Sequence, residues 1–243
     1  MEAEVYERMA AMEAEHWWFR GRRRILETLM VRIEGEGSRP RILEAGCGTG
    51  GNLPMLERHG TVKAFEPDPR ARELARSKGY LVEAGSLPES CPFDGELFDW
   101  ILMPDVLEHI EDDRAALAVL TRKLAPGGKL LLTVPAFPAL WSAHDTIHHH
   151  FRRYRRRDLT SLLSATGLRI RVLHYYNFWL FPPILAVRLL KRGRAAANSD
   201  DAAIPAAPLN RVLEWIFSSE RHFVGRPGFP FGVSLIALAS RPD

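Results

Sequence analysis

The sequence predicts an α/β fold: a seven-stranded, mostly parallel sheet with helices on both faces, N-terminal helices before it and a helical insertion before its last strand. Three observations point there. Short apolar runs alternate with segments of helical period from residue 41 to residue 134, and such repeats require right-handed crossovers beneath a sheet covered on both sides. The first apolar run stops at Gly46-Cys47-Gly48-Thr49-Gly50-Gly51, a turn suited to joining a strand to a helix. The chain's 243 residues, 46% hydrophobic and 26% charged, suffice for one large domain and exclude wholesale disorder.

Taken in order, residues 3–33 read as helical, with Trp17, Trp18 and Phe19 followed by Arg20, Arg22, Arg23 and Arg24. Residues 1–38 are expected to cap the domain, ending in a linker over 34–40. A strand over 41–45, the glycine turn and a helix over 52–58 form the first unit. The pattern repeats as strand 62–65, helix 69–78, strand 81–83, strand 100–103, helix 112–124, turn 126–128 and strand 130–134. Helix 159–166, strand 168–173 and strand 231–238 complete a single domain over 1–243. Between the last two strands lie about fifty residues (178–228), where a hairpin takes ~2–5. They form an insertion: a lid, a dimer contact or a surface-docking element.

Composition narrows the partners. With 33 basic against 30 acidic side chains the formal charge is +3, too small to argue nucleic-acid binding. Cys47 and Cys91 are the only cysteines, which excludes a disulfide scaffold and any zinc-ribbon spacing and points to a reducing cytoplasm. The acidic N-terminus lacks the order of a secretory signal. Residues 172–190 are apolar, yet His174, Asn177, Pro182, Pro183 and Arg188 make them a poor bilayer span. Together with 209–217 they suit a greasy pocket, a homodimer contact or the inner membrane surface, with Arg188, Lys191, Arg192 and Arg194 near lipid headgroups.

The glycines at 46, 48 and 50 free the backbone for positive φ and for close approach of a ligand. Glu66 follows Gly46 by 20 residues, at the end of the second strand, where a carboxylate can accept both hydroxyls of a ribose. Spacing alone leaves two nucleoside cofactors open. The dinucleotide fingerprint is GxGxxG, which places a pyrophosphate on the helix N-terminus, whereas here no basic residue adjoins the loop in sequence.

Leu43-Glu44-Ala45-Gly46-Cys47-Gly48-Thr49-Gly50 resembles the first motif of class I S-adenosylmethionine (SAM)-dependent methyltransferases, which hold the cofactor's methionine portion there. Phe65-Glu66-Pro67-Asp68 is similar to their second motif. Asp105-Val106-Leu107-Glu108-His109-Ile110 and Leu124-Ala125-Pro126-Gly127-Gly128 resemble the subgroup of ubiquinone-biosynthesis methyltransferases. The resemblance implies a Rossmann-like fold, SAM as cofactor with S-adenosylhomocysteine as product, and binding through Glu44, Gly46, Cys47, Gly48, Gly50, Glu66, Pro67, Ser86 and Asp105. In that reading Glu44 suits a cationic sulfonium, Glu66 binds the ribose, and Pro67 and Asp68 flank the adenosine. Family members often carry an aspartate after the third strand; here the stretch is Ala84-Gly85-Ser86-Leu87, so Ser86 stands in its place.

The acceptor side is expected after the fifth strand, over residues 141–154, at the sheet's carboxyl edge. His144 or His150 would deprotonate the acceptor with Asp145 orienting the imidazole, and His109 is a further candidate. Arg152, Arg153 and Tyr154 would hold an anionic group, and Trp17 and Trp18 would wall the pocket. His144, Asp145, His148 and His150 are metal-ligand types, but no zinc or iron spacing is met and no metal is expected. His16, Trp17, Trp18, Phe19 and Arg23 with the His-Asp and Arg-Arg-Tyr pattern resemble a branch of uncharacterised bacterial methyltransferases considered for lipid, glycan or secondary-metabolite work. A small-molecule or lipid-like acceptor follows. The competing readings are a SAM-binding accessory protein without catalysis, an RNA methyltransferase recruited by the five arginines within 152–157, and a dehydrogenase using NAD.

Overall fold

Side-chain alternation in the first strand sets the architecture. Leu43 and Ala45 enter one buried layer and Ile42 the other, so the strand must be covered on both faces. The computed structural model describes residues 10–34, 37–191, 204–226 and 228–242, the side chains of 188–191 excepted. The strands are β1 (Arg41–Ala45), β2 (Thr61–Glu66), β3 (Val82–Ala84), β4 (Phe98–Pro104), β5 (Leu124–Pro135), β6 (Arg169–Tyr176) and β7 (Ser234–Ser240). They form one seven-stranded sheet in the order β3-β2-β1-β4-β5-β7-β6. The pairs among β1 to β5 are parallel, and β7 lies antiparallel between β5 and β6. The carboxyl ends of β1, β2, β4 and β5 therefore share one edge, which is where α/β sheets carry their ligands.

The helices are α1 (Trp17–Glu34), α2 (Leu53–Glu57), α3 (Pro69–Ser77), α4 (Asp113–Lys123), α5 (Ala143–Ile147), α6 (Arg156–Ala165), α7 (Phe181–Lys191) and α8 (Ala207–Ser219), with residues 10–15 also helical. On one face α4 buries Ala116, Leu117 and Leu120, and α6 buries Leu159 and Leu163. On the other, α1 places Ile25, Leu26, Leu29 and Met30 against the sheet beside Phe217 of α8.

Helix α8 of the insertion is thus part of the domain's cover, docked on α1. Gly21 makes the contact: a Cβ there would lie 2.5 Å from Phe217 Cδ1. Arg20 and Arg24 pair with Glu214 at 3.0 and 2.8 Å, and Asn210 accepts from the Trp17 amide at 2.9 Å while donating to the Glu15 carbonyl at 2.8 Å. Leu209, Val212 and Trp215 occupy the exposed side of α8. Farther along, the amides of Asn177, Phe178 and Trp179 donate to the Glu220 carboxyl at 2.7, 2.7 and 3.1 Å, fixing the exit of β6. Burial nonetheless pushes that carboxyl up to about 7.

Several boundaries move from their expected places. β5 begins at Leu124 because the Pro-Gly-Gly stretch is extended beside β4, with an irregular register between Phe98 and Trp100. β6 continues to Tyr176, β7 starts at Ser234, and α6 begins at Arg156. Among the described residues no helix is long and apolar enough to cross a membrane. The side chains of Arg188, Lys191, Arg192 and Arg194, read as headgroup contacts, lie outside the described residues.

Candidate active site at the carboxyl edge of the sheet

The loop after β1 is shaped by what its glycines exclude. Gly46 has φ +73°, and a Cβ would stand 2.8 Å from the Val106 side chain, so only glycine fits. The amides of Gly46 and Cys47 donate to the Phe65 carbonyl at 3.0 and 3.1 Å, binding the loop to the end of β2. Gly48, at φ +55°, is different: the nearest outside atom to its Cβ position is Glu13 Oε1 at 3.8 Å, so it faces open space beneath the N-terminal segment.

Glu66 closes that space. Its Oε2 accepts from the Gly48 amide at 2.9 Å and its Oε1 from the Asp68 amide at 3.1 Å, which holds the carboxylate rigid with one lone pair of each oxygen unspent. Glu44 lies fully buried on β1. Its Oε1 accepts from the Asn52 side-chain amide at 2.7 Å, while Oε2 is buried without a protein partner. Burial pushes the Glu44 carboxyl up to about 8 against the Asn52 hydrogen bond, with Glu13 and Glu66 adding repulsion. Glu13 hydrogen-bonds the Thr49 hydroxyl and roofs the loop, and burial raises its carboxyl too. Lys78 donates to the Thr49 carbonyl at 2.8 Å and lies 3.8 Å from the Glu13 carboxylate. The cradle is acidic and rich in acceptors. It offers acceptors to a cationic ligand carrying a ribose, which favours SAM over NAD.

The other cofactor candidates divide. Asp105, at φ +54°, ends β4 with its amide on the Thr133 carbonyl at 3.0 Å and its carboxylate paired with the buried Arg22. The Arg22 guanidinium stacks over Trp18 at 4.5 Å. Trp18 therefore borders the edge, whereas Trp17 meets Phe217 edge-on at 5.7 Å and belongs to the layer between α1 and α8. Ser86 follows β3 and exchanges backbone hydrogen bonds with Ser90 at 2.9 and 2.7 Å; the preceding Ala84 pairs with Glu66 in the sheet register. The Asp68 carboxylate is occupied in capping α3, accepting from the Arg70 and Ala71 amides at 2.8 and 3.0 Å, and Pro67 is exposed. Cys47 is buried, its thiol pushed up by burial, and it packs with Leu53 and Val82.

The acceptor edge is built from two segments. A 3₁₀ turn over Leu107–His109 follows β4, and α5 with residues 148–154 follows β5; the Phe151 amide donates to the Glu108 carbonyl at 2.8 Å and locks the two together. Asp145 is the hub. Its carboxylate accepts from the Ser142 amide at 2.8 Å, the Ser142 hydroxyl at 3.1 Å, His150 Nδ1 at 2.9 Å and Arg153 Nε at 2.7 Å. Although burial opposes it, the His150 and Arg153 bonds hold the Asp145 carboxyl well below the usual carboxylate range. The His109 and His150 rings meet edge-to-face at 4.6 Å, and the His144 and His148 rings lie 4.2 Å apart. Desolvation, helped by His150 and His148, pulls the His109 imidazole down to about 4.

The expected anion clamp is spent on the protein itself. Arg153 is buried against Asp145 and donates to the Ala136 carbonyl at 2.8 Å. Arg152 pairs with Asp113 at 2.7 Å and donates to the Glu111 carbonyl at 2.6 Å, and the buried Tyr154 hydroxyl donates to Asp113 at 2.9 Å. These three side chains position the loop. Because two of its arginines are so committed, the 152–157 run does not form one basic surface. The metal-type set also changes: Asp145 is saturated by its donors, and among the described residues the ligand atoms within 4.8 Å of one another are those of Glu108, His109 and His150.

Sequence reasoning missed Glu13 and Arg22. Arg22 sits one turn before Ile25 and Leu26 on the apolar face of α1 and one turn after Trp18, a pattern that marks a buried arginine among solvated ones. Glu13 carries no such signal, since its place depends on how the N-terminal segment folds back over the glycine loop.

A family model described as a methyltransferase domain matches residues 13–173. The chain is 27% identical over 161 residues to a protein of Mycolicibacterium smegmatis named as a probable S-adenosylmethionine-dependent methyltransferase, covering 64% of this chain and 61% of that one. It therefore spans about three-fifths of that relative's length. It is 26% identical to a ubiquinone biosynthesis O-methyltransferase of Rhizobium leguminosarum, over 68% of this chain and 80% of that one. A Thermotoga maritima structure described as a SAM-dependent methyltransferase, possibly acting on histamine nitrogen, superposes with TM-score 0.60 at 20% identity, covering 98% of this chain and 99% of that one.

Proposed function

The chain belongs to the methyltransferase-domain family, and on that premise we propose that it transfers a methyl group from SAM to a small-molecule acceptor held at the carboxyl edge of β4 and β5. One observation carries the cofactor assignment: Glu66, at the tip of β2, has its carboxylate clamped by the Gly48 and Asp68 amides beside a glycine that faces open space. A carboxylate so fixed accepts from a vicinal diol with no reorganisation of its own. The buried polar atoms without protein partners agree. Glu44 Oε2 is an acceptor and Arg22 Nε a donor, the complement of the zwitterionic amino-acid end of this cofactor.

When bound, SAM supplies an electrophilic methyl on a sulfonium. The protein's contribution is alignment and removal of water. Trp18 and Arg22 close one side of the edge, and Asp105 links Arg22 to β4. The acceptor faces the cluster of His109, His144 and His150 organised by Asp145. The name of the Rhizobium leguminosarum relative, a ubiquinone biosynthesis O-methyltransferase, supports a small acceptor and an oxygen as the methylated atom. A lipid-like acceptor is consistent with the apolar rings of Phe178, Phe229 and Phe231 stacked near the exit of β6.

Titration calorimetry tests the reading. SAM and S-adenosylhomocysteine are expected to bind in the micromolar range, and Glu66→Ala is expected to weaken both about 10–100-fold, the cost of a charged hydrogen-bond acceptor. Absence of binding to the unaltered protein would sink it.

A further inference from the structure

We propose that Glu108, His109 and His150 form a binding site for one divalent transition-metal ion of the zinc type, with Asp145 as the carboxylate that orients His150. The three side chains come from two segments brought together by the Phe151 amide on the Glu108 carbonyl at 2.8 Å. Their ligand atoms lie within 4.8 Å of one another. A tetrahedral ion with bonds of ~2.1 Å needs separations of about 3.4 Å, so side-chain shifts of up to about 1.4 Å close the set.

Four features argue for an ion there. Glu108 is 1% exposed, and its Oε2 is buried with no hydrogen-bond partner among the described residues, a cost that a bound cation would offset. His150 gives Nδ1 to Asp145 at 2.9 Å; a carboxylate there takes the N–H, which leaves Nε2 as a lone pair. Asp145 is itself fixed by Arg153 and Ser142, as the outer carboxylate of a carboxylate–histidine–metal arrangement must be. The His109 ring meets that of His150 edge-to-face at 4.6 Å, which brings the two imidazoles to one place.

Two imidazoles and one carboxylate with open positions left over match the donor set of sites that bind zinc or iron and keep room for water or an incoming heteroatom. His144 and His148 lie beside the site with their rings tilted at 4.2 Å, and neither supplies a ligand atom to the trio. The inference stands on these side chains and does not require the transfer reaction.

Equilibrium dialysis of the full chain against Zn²⁺, after chelator treatment, is expected to give one ion per chain at micromolar free metal. Cobalt substitution is expected to give visible bands of tetrahedral intensity. His109→Ala and His150→Ala are each expected to weaken binding by 10-fold or more, Glu108→Gln likewise, and His148→Ala to leave it within a factor of about two. Circular dichroism accompanies each variant; should His150→Ala fail to fold, His109→Ala decides alone. No zinc bound at 100-fold above micromolar, or binding indifferent to His109→Ala, or binding lost only with His148→Ala, overturns the proposal.

Discussion

The two halves of the carboxyl edge are built on opposite plans. The cradle after β1 and β2 is made largely of backbone: glycine torsions, amides on the Phe65 carbonyl and two amides on Glu66, all within residues 46–68. The edge after β4 and β5 is made of side chains, with Glu108, His109, Asp145, His150 and Arg153 converging from segments some forty residues apart. The first plan fixes a ligand whose shape never varies. The second can be re-specified by changing single side chains without disturbing the chain path, which is how one fold serves many acceptors.

The sharpest way to break the comparison is Arg153→Leu. Arg153 and Asp145 are both buried, and removing the guanidinium takes away the cation of the pair while Ser142 and His150 still donate to the carboxylate, so the expected cost is about 2–3 kcal/mol, below that of a fully uncompensated buried charge. The acceptor edge should lose order while the cradle survives. Thermal melting would show the loss, and calorimetry would show cofactor affinity changed less than threefold in the folded fraction. Equal loss of both would mean that the halves are one cooperative unit and the contrast is false.

That division also explains what was legible from the sequence. The alternation of Leu43 and Ala45 with Ile42, the glycine turn and Glu66 lie close along the chain, so the sheet and the cradle could be read with correct element types. The fate of Arg152, Arg153 and Tyr154 could not: a basic-aromatic run looks the same whether it faces an anionic acceptor or, as here, Asp145 and Asp113. The docking of the insertion on α1 depends on Phe217 filling the notch at Gly21, a contact across nearly two hundred residues that no local pattern reports. Arg22 had a local signal in its spacing from Trp18 and Ile25, and its pairing with Asp105 had none.

Within the cradle, glycines that look equivalent in sequence should separate by mechanism. Gly46→Ala forces a Cβ to 2.8 Å from the stiff side chain of Val106 at φ +73°, and an expected cost of about 2–4 kcal/mol combines overpacking with the left-handed backbone. Gly48→Ala meets open space and carries only the backbone cost, roughly 1 kcal/mol, yet its methyl projects where a ligand would lie. Denaturant unfolding should therefore distinguish the two variants while both lose SAM. Retained cofactor binding in Gly48→Ala would place the ligand elsewhere.

The smallest expected effect tests the cradle's charge. Without cofactor, burial holds the Glu44 carboxyl up near 8, far above the ~4.3 of an exposed glutamate. A group raised on folding contributes stability that is complete below its unfolded value and is lost as pH rises through its folded one, so this contribution fades between about pH 4.3 and 8. A cation bound beside Glu44 favours the carboxylate, so below pH 8 binding must expel a proton. Affinity for SAM should then climb with pH by at most tenfold per unit and level off above about 8, with Glu44→Gln flattening the climb. Calorimetry in two buffers of different ionisation enthalpy reads the released proton directly. Binding with no proton released would mean that Glu44 is already ionised in the empty cradle, and that Asn52 outweighs burial there.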